Sequence, residues 1–459
     1  MRRLELRGRR KLFCVYPSAV HVARIPPPVT STPAFAAIDF GTSNSAVALP
    51  AGDGVRLVEL EPGYPTMPTA VFYRADGTDP MAEPERLYGR AAVAAYVEGI
   101  DGRLMRSMKS ILGSSLVEQS TDVGHGRAVR FIDVVAGYLR ELKRRAEAAA
   151  GAPLSRVVLC RPVFFVDDEP ERDAAAQAAL ERAARSVGFQ EISFQYEPIA
   201  AALDHERSAD HEQLVLVADI GGGTSDFSLV RVGPERRGRA DRRDDILANH
   251  GVHIAGTDFD RHVELAAILP LAGYRSLGPA KPGQAPREVP SKVYFDLATW
   301  HLINTVYAPA RVLELRRMKD WYADPAHHRR LMVVLEERLG HALAAAAEQA
   351  KIDVALHGGA AVDLGQLEPG LAAVVSEPQA AGAIEADLAR IVAAATDTAR
   401  QAGVAPGDVE VLYFTGGSTG LTPLVDRIAA GFPNARRVRG DRFASVAQGL
   451  GLHARAVYG

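Results

Sequence analysis

A strand–turn–strand pattern with an aspartate ahead of glycine occurs twice in this chain, and it limits the possible folds more than any other feature. In the second copy, apolar residues from Leu214 lead to Asp219, three glycines follow, and an alternating segment continues to Val232. A short apolar run bounded by turn residues is typical of a buried strand, and alternation is typical of a half-buried partner. The pattern therefore predicts a β-hairpin with a glycine turn.

The turn of this second hairpin has the composition of an anion-binding site. Gly221, Gly222 and Gly223 have no Cβ, so their N–H groups can lie against a ligand oxygen. Successive backbone N–H groups form a nest that phosphate commonly occupies. Asp219 ends the buried strand, where a carboxylate suits a hydrated Mg²⁺ ion. Taken alone, however, such a hairpin is more often a plain turn than a nucleotide site.

The first copy of the pattern changes that judgement. Apolar residues lead to Asp39, and Gly41, Thr42, Ser43 and Asn44 form the turn before the next apolar segment. Asp39 and Asp219 lie 180 residues apart, a spacing typical of a duplicated domain. Two such half-sites facing each other would bind one triphosphate and its metal from both sides. The pair predicts a nucleotide site between two similar halves.

Composition excludes several other classes of protein. The chain has 459 residues, 47% hydrophobic and 24% charged, as in a globular protein of two to four domains. A formal net charge of −3 gives no reason to expect nucleic acid or a membrane as partner. The only cysteines are Cys14 and Cys160, so we expect no disulfide framework and a cytoplasmic location. No apolar run approaches the roughly 18 residues that span a bilayer.

Residues 1–33 differ in composition from the rest. Six cationic residues fall in the first eleven positions, and three prolines begin at Pro26. Pro17 and His21 interrupt the apolar stretch that a signal peptide would need. We expect a disordered arm or a start codon placed too far upstream.

Further segments are expected to surround the two hairpins. Glu197 precedes Pro198, which suits the first position of a helix, and the alanines that follow permit close helix packing. A second small-residue helix, over 443–454, is its expected partner. A strand over 409–414 leads into Gly416, Gly417 and Ser418. This arrangement is typical of sites where a phosphate or a flat ring approaches the backbone at a helix N-terminus.

Other segments receive plainer interpretations. Two long helices are predicted over 298–321 and 329–355, and the charged stretch 235–245 is interpreted as a solvated loop. Lys109 alone would be interpreted as a solvated lysine. The histidines lack metal-ligand spacing, and no P-loop, G-x-G-x-x-G, HExxH, CxxC pair or GxSxG motif occurs.

Five pieces occur in one order: Asp39-Phe-Gly-Thr, Glu197-Pro-x-Ala-Ala, Asp219-Ile-Gly-Gly-Gly-Thr, Thr415-Gly-Gly-Ser-Thr and the last small-residue helix. This order resembles the actin-like ATPase superfamily. The second and third pieces look like the nucleotide-binding domain of DnaK-type 70 kDa heat-shock chaperones. The likeness covers about residues 34–459 and is greatest to the short YegD-like branch.

The resemblance implies an α/β fold of the actin-like ATPase type. Two lobes, each with a mixed, ribonuclease-H-like β-sheet core flanked by helices, would enclose a nucleotide cleft. Lobe I would comprise 34–210 and 437–459, and lobe II would comprise 211–436 with a helical subdomain over about 258–355.

The resemblance also implies roles for individual residues. Asp39 and Asp219 would hold Mg²⁺ through water, and Asp219 would orient the attacking water. Lys109 would neutralise the γ-phosphate, Glu197 would order the metal's water shell, and Thr224 would join this catalytic set. The residues expected to contact ATP or ADP are Gly41, Thr42, Ser43 and Asn44, Gly221 to Thr224, Gly256, Glu348 and Lys351 near the ribose, and Gly416, Gly417 and Ser418 at the adenosine.

Some positions depart from the family pattern. Ile352 stands where an arginine usually stacks on adenine, Ala355 replaces a serine, and Gly420 replaces a second arginine. Since cation–π contacts contribute roughly 0.5–2 kcal/mol, we expect looser nucleotide binding. No interdomain linker or peptide-binding β-sandwich follows Gly459, so the usual client site is expected to be absent.

The resulting expectation is an ATP-binding, slowly hydrolysing chaperone-like monomer. Its expected partners are nucleotide, Mg²⁺, unfolded polypeptide and a co-chaperone or exchange factor. Three alternatives stay open: a small-molecule kinase of the same superfamily, a filament-forming actin relative, and a nucleotide-gated binding module with negligible turnover.

Overall fold

The structure is a computed structural model that describes residues 35–75, 85–124, 126–166, 169–239, 241–280, 282–283, 285–440 and 445–459. The expected N-terminal arm lies outside the described residues, as do positions 443–444 of the last predicted helix.

In chain order, the strands are β1 (Phe35–Phe40), β2 (Asn44–Ala51), β3 (Gly54–Leu57), β4 (Thr66–Pro68), β5 (Ala70–Arg74), β6 (Arg86–Tyr88), β7 (Gly102–Arg106), β8 (Ser120–Asp122), β9 (Ala128–Arg130), β10 (Arg156–Arg161), β11 (Glu191–Tyr196), β12 (Gln213–Ile220), β13 (Ser225–Val232), β14 (Ile246–Val252), β15 (Gly359–Asp363), β16 (Ala372–Ser376), β17 (Val411–Thr415) and β18 (Arg436–Arg439).

The α-helices are α1 (Gly89–Val97), α2 (Phe131–Ala150), α3 (Pro170–Ser186), α4 (Glu197–Glu206), α5 (Gly256–Val263), α6 (Lys292–Leu297), α7 (Pro309–Arg316), α8 (Pro325–Glu336), α9 (Gly340–His357), α10 (Glu377–Gln401), α11 (Thr422–Ala430) and α12 (Ser445–Tyr458). A π-helical turn, Glu264–Ile268, continues α5, and short 3₁₀ turns include Met108–Ile111 and Gly417–Gly420.

Two five-stranded paths with the same topology form the framework. The first has the order β11-β10-β1-β2-β3, and the second has the order β14-β13-β12-β17-β18. In each path three antiparallel strands are followed by two that run parallel to the central one. The duplication predicted from the two hairpins is confirmed, and so is the two-lobed α/β fold. The residue boundaries of the lobes stay a prediction.

Two small-residue helices pack between the sheets. A single buried cluster contains side chains from both sheets, from α4 and from α12, including Ala37, Val158, Ile199, Val217, Tyr413 and Leu450. The helices approach closely: a Cβ on Gly449 of α12 would overlap the carbonyl oxygen of Ala200 in α4. The predicted pairing of these two helices is therefore present.

The helical region beyond α5 differs from the prediction. In place of one helix over 298–321, the chain forms a 3₁₀ turn (Ile303–Tyr307), α7 from Pro309 and a second 3₁₀ turn (Lys319–Trp321), while α6 ends before this range. In place of one helix over 329–355, α8 begins at Pro325 and a break precedes α9. Proline has no N–H to donate and is accepted in the first turn of a helix, so Pro309 and Pro325 begin new helices. The prediction of two long helices was wrong.

The interpretation of 235–245 as a solvated loop was also wrong in part. Arg242 and Asp245 are each 2% exposed. Arg242 forms an ion pair with Glu206 at 2.8 Å and a second with Asp245, and Arg236 also pairs with Asp245. These charged side chains form ion pairs inside the protein, and composition alone cannot show this.

No helix within the described parts of the chain combines the length and apolarity needed to cross a membrane.

Candidate functional site

The two repeated turns meet. A Cβ added to Gly222 in the β12–β13 turn would lie 3.3 Å from Ser43 Oγ in the β1–β2 turn. The residues that the duplicated pattern singles out therefore belong to one place in the molecule, although 180 residues separate the two aspartates in sequence.

The β1–β2 turn is held from behind by Thr69. Its Oγ1 donates to the carbonyl oxygen of Gly41 at 2.8 Å, and its N–H donates to that of Ser43 at 2.9 Å. Thr42 and Asn44 are exposed at the turn. With two backbone carbonyls fixed from the protein side, the turn presents its hydroxyl and amide side chains outward.

The β12–β13 turn is fixed through its carbonyl groups. Ser418 Oγ donates to Gly221 O at 2.7 Å, while the N–H and Oγ1 of Thr257 donate to Gly222 O at 2.8 and 2.7 Å. Gly221 N–H closes the turn onto Thr224 O at 3.0 Å. Over the described residues, no protein acceptor pairs with the N–H groups of Gly222, Gly223 or Thr224. These N–H groups remain to bind an anion.

A line of buried and partly buried polar groups connects Asp39 to Glu197. The side chain of Cys160 in β10 lies 3.1 Å from Asp39 Oδ1 and 4.0 Å from Lys109 Nζ. Lys109, on the 3₁₀ turn Met108–Ile111, forms an ion pair with Glu197 at the start of α4. Lys109 is 7% exposed, so the solvated interpretation of this lysine alone was wrong.

Burial and crowding of negative charge alter the acidity of these groups. Burial, then the charge of Glu197, raises the pKa of Asp39 to about 6, against opposing effects of Lys109 and Cys160. Burial, then Asp226, Glu197 and Asp39, raises the pKa of Asp219 to about 8. The effect of Asp39 on the pKa of Asp219 places the two aspartates in one electrostatic environment.

The cation and the thiol respond in their own ways. Burial lowers the pKa of Lys109, but nearby acidic groups, Glu197 and Asp39 among them, outweigh it and raise the pKa overall, so the amine stays charged. Burial raises the pKa of the Cys160 thiol well above its ordinary value, so the sulfur keeps its proton.

Gly416 joins the end of β17 to the second turn. Its φ is +87°, a left-handed conformation that favours glycine, and a Cβ there would lie 2.6 Å from Asp219 Oδ1. The parallel pairing of Asp219 with Thr415 explains this closeness. Gly417 is exposed at the start of the 3₁₀ turn, and Ser418 follows it.

Residues of α5 and α9 lie beside the β12–β13 turn and complete the candidate site. Gly256 is buried at the start of α5, and its carbonyl oxygen accepts from Lys351 Nζ at 3.4 Å. Lys351 also pairs with Asp260 at 2.6 Å. Glu348, one turn earlier, is exposed. Burial, and to a smaller extent the charge of Glu348, raises the pKa of Asp260 to about 6 against the opposing effect of Lys351. Ile352 is exposed as well.

A comparison with known families decides the identity of this framework. A family model described as Hsp70 protein matches residues 35–265, just over half of the chain. The chain belongs to the Hsp70 family. Membership assigns it to the ATP-binding, chaperone-type proteins of the actin-like ATPase superfamily. The matched segment contains both turns, Lys109 and Glu197, while Lys351 and Gly416 lie beyond it.

The donor set of this Hsp70 chain suits a hydrated magnesium ion. Across the described residues, no group of three or more His, Cys, Asp or Glu side chains could hold a metal ion directly. Asp39 and Asp219 are nevertheless partly buried carboxylates whose pKa values are raised by burial and nearby negative charge. A divalent cation would relieve that repulsion, and Mg²⁺ prefers oxygen donors and retains several waters. The residues fit Mg²⁺ bound through water.

Four residues that pack on this Hsp70 site were missed by the sequence analysis: Thr69, Cys160, Thr257 and Asp260. Thr69 and Thr257 act on turn carbonyls from distant segments, and no local pattern marks such contacts. Cys160 could have been found from the register of β1 and β10, because Ile38 pairs with Leu159, and Asp39 and Cys160 are the next residues along the two strands.

Proposed function

We propose that this chain binds Mg²⁺·ATP between the two facing turns and hydrolyses it slowly, as a chaperone-type protein of the YegD-like branch. The observation that supports this most is the meeting of the Ser43 and Gly222 turns beside the ion pair of the buried Lys109 with Glu197. A plain pair of β-turns would not need a buried cation and two carboxylates of raised pKa at their junction.

In this proposal the nucleotide phosphates lie against backbone and hydroxyl donors from both turns. Gly221 to Thr224 bind them from one side, and Thr42, Ser43 and Asn44 bind them from the other. Lys109 neutralises the γ-phosphate, while Gly416, Gly417 and Ser418 line the adenosine position with Gly256, Glu348 and Lys351 near the ribose.

Asp39 and Asp219 would hold Mg²⁺ through water, and the ion when bound would offset the phosphate charge. Asp219 and Thr224 orient the attacking water, and Glu197 fixes Lys109 and the surrounding waters. Phosphoryl transfer to water needs no covalent intermediate, since its catalysis is mainly positioning and charge stabilisation.

The proposed affinity for ATP is low. Ile352 cannot stack on adenine as a guanidinium does, and Gly420 presents no side chain, so roughly 0.5–2 kcal/mol of cation–π stabilisation is missing. Calorimetric titration with ATP measures this; a dissociation constant unchanged in Ile352→Arg would contradict the explanation.

Single-turnover ATP hydrolysis tests the proposal. Asp219→Asn and Lys109→Ala should each slow the step at least about 100-fold, the usual cost of removing one charge-stabilising group. Lys143→Ala is the control, because Lys143 pairs with Glu147 within α2. Its rate should stay within about twofold of the unaltered protein, because Lys143 contacts Glu147 and Phe189, neither of which belongs to the site.

Two other results would redirect the assignment. Equal rates in the protein and in both site variants would contradict the catalytic roles. Tight ATP binding without hydrolysis would favour the nucleotide-gated binding module, and phosphoryl transfer to sugars would favour the kinase.

A further inference from the structure

The thiol of Cys160 has no role in the mechanism above, although it touches two of its groups. Strand pairing determines its place. Ala37 pairs with Val158 and Ile38 with Leu159, and Asp39 and Cys160 are the next residues along β1 and β10. Side chains alternate across a sheet, and Ala37 and Val158 share the cluster between the sheets. Asp39 and Cys160 therefore project from that same face.

The thiol lies between opposite charges. Its sulfur is 3.1 Å from Asp39 Oδ1 and 4.0 Å from Lys109 Nζ, and Cys160 is fully buried. The S–H group is a weak donor and the sulfur a weak acceptor, so one side chain can donate to the carboxylate and accept from the amine. Valine would fill about the same space without either contact.

A buried cysteine is often only a small apolar side chain, and that plainer role makes a different prediction. If packing were all that mattered, valine at this position would serve as well as cysteine. If hydrogen bonding matters, serine should serve better than valine, although valine is nearer to cysteine in apolar character.

We propose that Cys160 is a positioning residue, whose S–H group holds Oδ1 of Asp39 and whose sulfur separates that carboxylate from Lys109. Without it, Asp39 would be free to turn toward the ammonium group and away from the facing turn of Gly222. The inference rests on the proposed function, because the orientation of the Asp39 carboxylate matters for activity only if Asp39 helps to bind Mg²⁺·ATP.

The hydrogen bond itself can be tested without nucleotide. In a Cys14→Ser background, Cys160 is the sole cysteine, so the infrared S–H stretch reports on this thiol alone. We expect the band at the lower wavenumber of a hydrogen-bonded thiol, and we expect Asp39→Ala to move it to that of a free thiol. A free-thiol band in the unaltered protein would overturn the inference, whatever the protein does with ATP.

The consequence is tested in the same background with Cys160→Ser, Cys160→Val and Val158→Ala. Calorimetry should show that Cys160→Val weakens ATP binding about tenfold with Mg²⁺ present, the factor that about 1.4 kcal/mol represents, and leaves binding in EDTA unchanged. Cys160→Ser should recover most of this loss.

Val158→Ala removes buried methyl groups two residues earlier on the same face and should leave the Mg²⁺ dependence unchanged. Equal ATP affinities of Cys160→Ser and Cys160→Val would show that the thiol contributes only packing and would overturn the inference. If the unaltered protein bound no Mg²⁺·ATP at all, the proposed function would fail, while the infrared result would still decide the hydrogen bond.

Discussion

Arg242 and Glu206 form an ion pair in which each side chain is 1% exposed. Two guanidinium nitrogens of Arg242 donate to Glu206 at 2.8 and 3.0 Å, and its Nε donates to Asp245. The pair attaches the segment between β13 and β14 to the C-terminal end of α4. Removing one partner of such a pair leaves the other charge buried without its counter-ion. This costs far more stability than breaking a surface pair.

Arg242→Ala should therefore lower the free energy of unfolding by about 3–5 kcal/mol. The control is Arg427→Ala, since Arg427 pairs with Glu385 at 2.6 Å with both side chains well exposed. That change should cost less than about 1 kcal/mol. Urea denaturation measures both, and similar losses in the two variants would contradict the argument from burial.

His341 makes the stability of the protein sensitive to acid. Burial, then the nearby charge of Arg106, lowers the pKa of His341 to about 4, and neither ring nitrogen has a hydrogen-bond partner within the described chain. In the unfolded chain this imidazole is protonated near pH 6.5, whereas in the folded protein it is protonated only near pH 4. Folding is therefore favoured above pH 6.5, and this contribution is lost as the pH falls toward 4.

His341→Phe should remove this sensitivity while keeping a ring beside Tyr96 and Trp300. Between pH 7 and pH 4 the unaltered protein should lose roughly 2–3 kcal/mol more stability than the variant. Urea denaturation across this pH range gives the difference, in which the titrations of other groups cancel. Parallel pH profiles for the two proteins would show that His341 does not titrate as argued.

At the residue scale, the sequence predicts groups that repeat and misses groups defined by burial. Asp39, Asp219 and the turn glycines occur in a duplicated pattern, so one copy supports the other. Arg242 lies in a stretch whose composition is that of a solvated loop, and its partner Glu206 is on a separate helix. Local composition contains no information about that contact.

At the scale of elements, the packing of α4 on α12 depends on one glycine. Gly449 faces the backbone of Ala200 so closely that a methyl group cannot be placed between them without moving a helix. Overpacking of this kind typically costs about 1–3 kcal/mol. Since the two helices lie between the sheets, the displacement would also disturb the relation between the two turns.

Gly449→Ala should therefore destabilise the protein by about 1–3 kcal/mol and weaken ATP binding. Gly382→Ala is a matched control in α10, where a Cβ would meet no atom within 4 Å. There alanine should stabilise the helix by roughly 0.5–1 kcal/mol. Opposite signs for two identical substitutions, measured by thermal or urea unfolding, would support the packing argument; a neutral Gly449→Ala would contradict it.

The elements themselves were predictable where the signal was local. Both hairpins, the small-residue helix pair and the strand before Gly416 follow from apolar periodicity and turn residues. The helical region was predicted less well, because alanine-rich and amphipathic stretches continue across Pro309 and Gly340. There the proline positions, rather than the apolar pattern, determine where helices begin.

At the scale of the molecule, an aromatic bridge joins the α1–β7 segment to the region beyond α5. Tyr96 stacks on Trp300 with ring centroids 5.0 Å apart, and His341 lies 5.0 Å from Trp300. Arg106 lies over the Trp300 ring at 4.2 Å, three positions before Lys109. The bridge therefore links the segment that contains the site cation to α9, which contains the expected ribose residues Glu348 and Lys351. No repeat in the sequence relates these segments, so the aromatic bridge could be found only in the structure.

If a nucleotide leaves by separation of the two halves, this bridge should slow its release. Trp300→Leu removes the ring contacts with Tyr96 and His341 and the cation–π contact with Arg106, together worth about 1–2 kcal/mol, and should speed nucleotide release roughly tenfold. Stopped-flow displacement of a fluorescent ADP analogue by excess ATP measures the rate. Trp321→Leu is the control, because the only other tryptophan is 55% exposed and outside the bridge, and its release rate should not change. Equal acceleration in both variants would mean that the loss of any large ring loosens the protein, and that the bridge does not determine release.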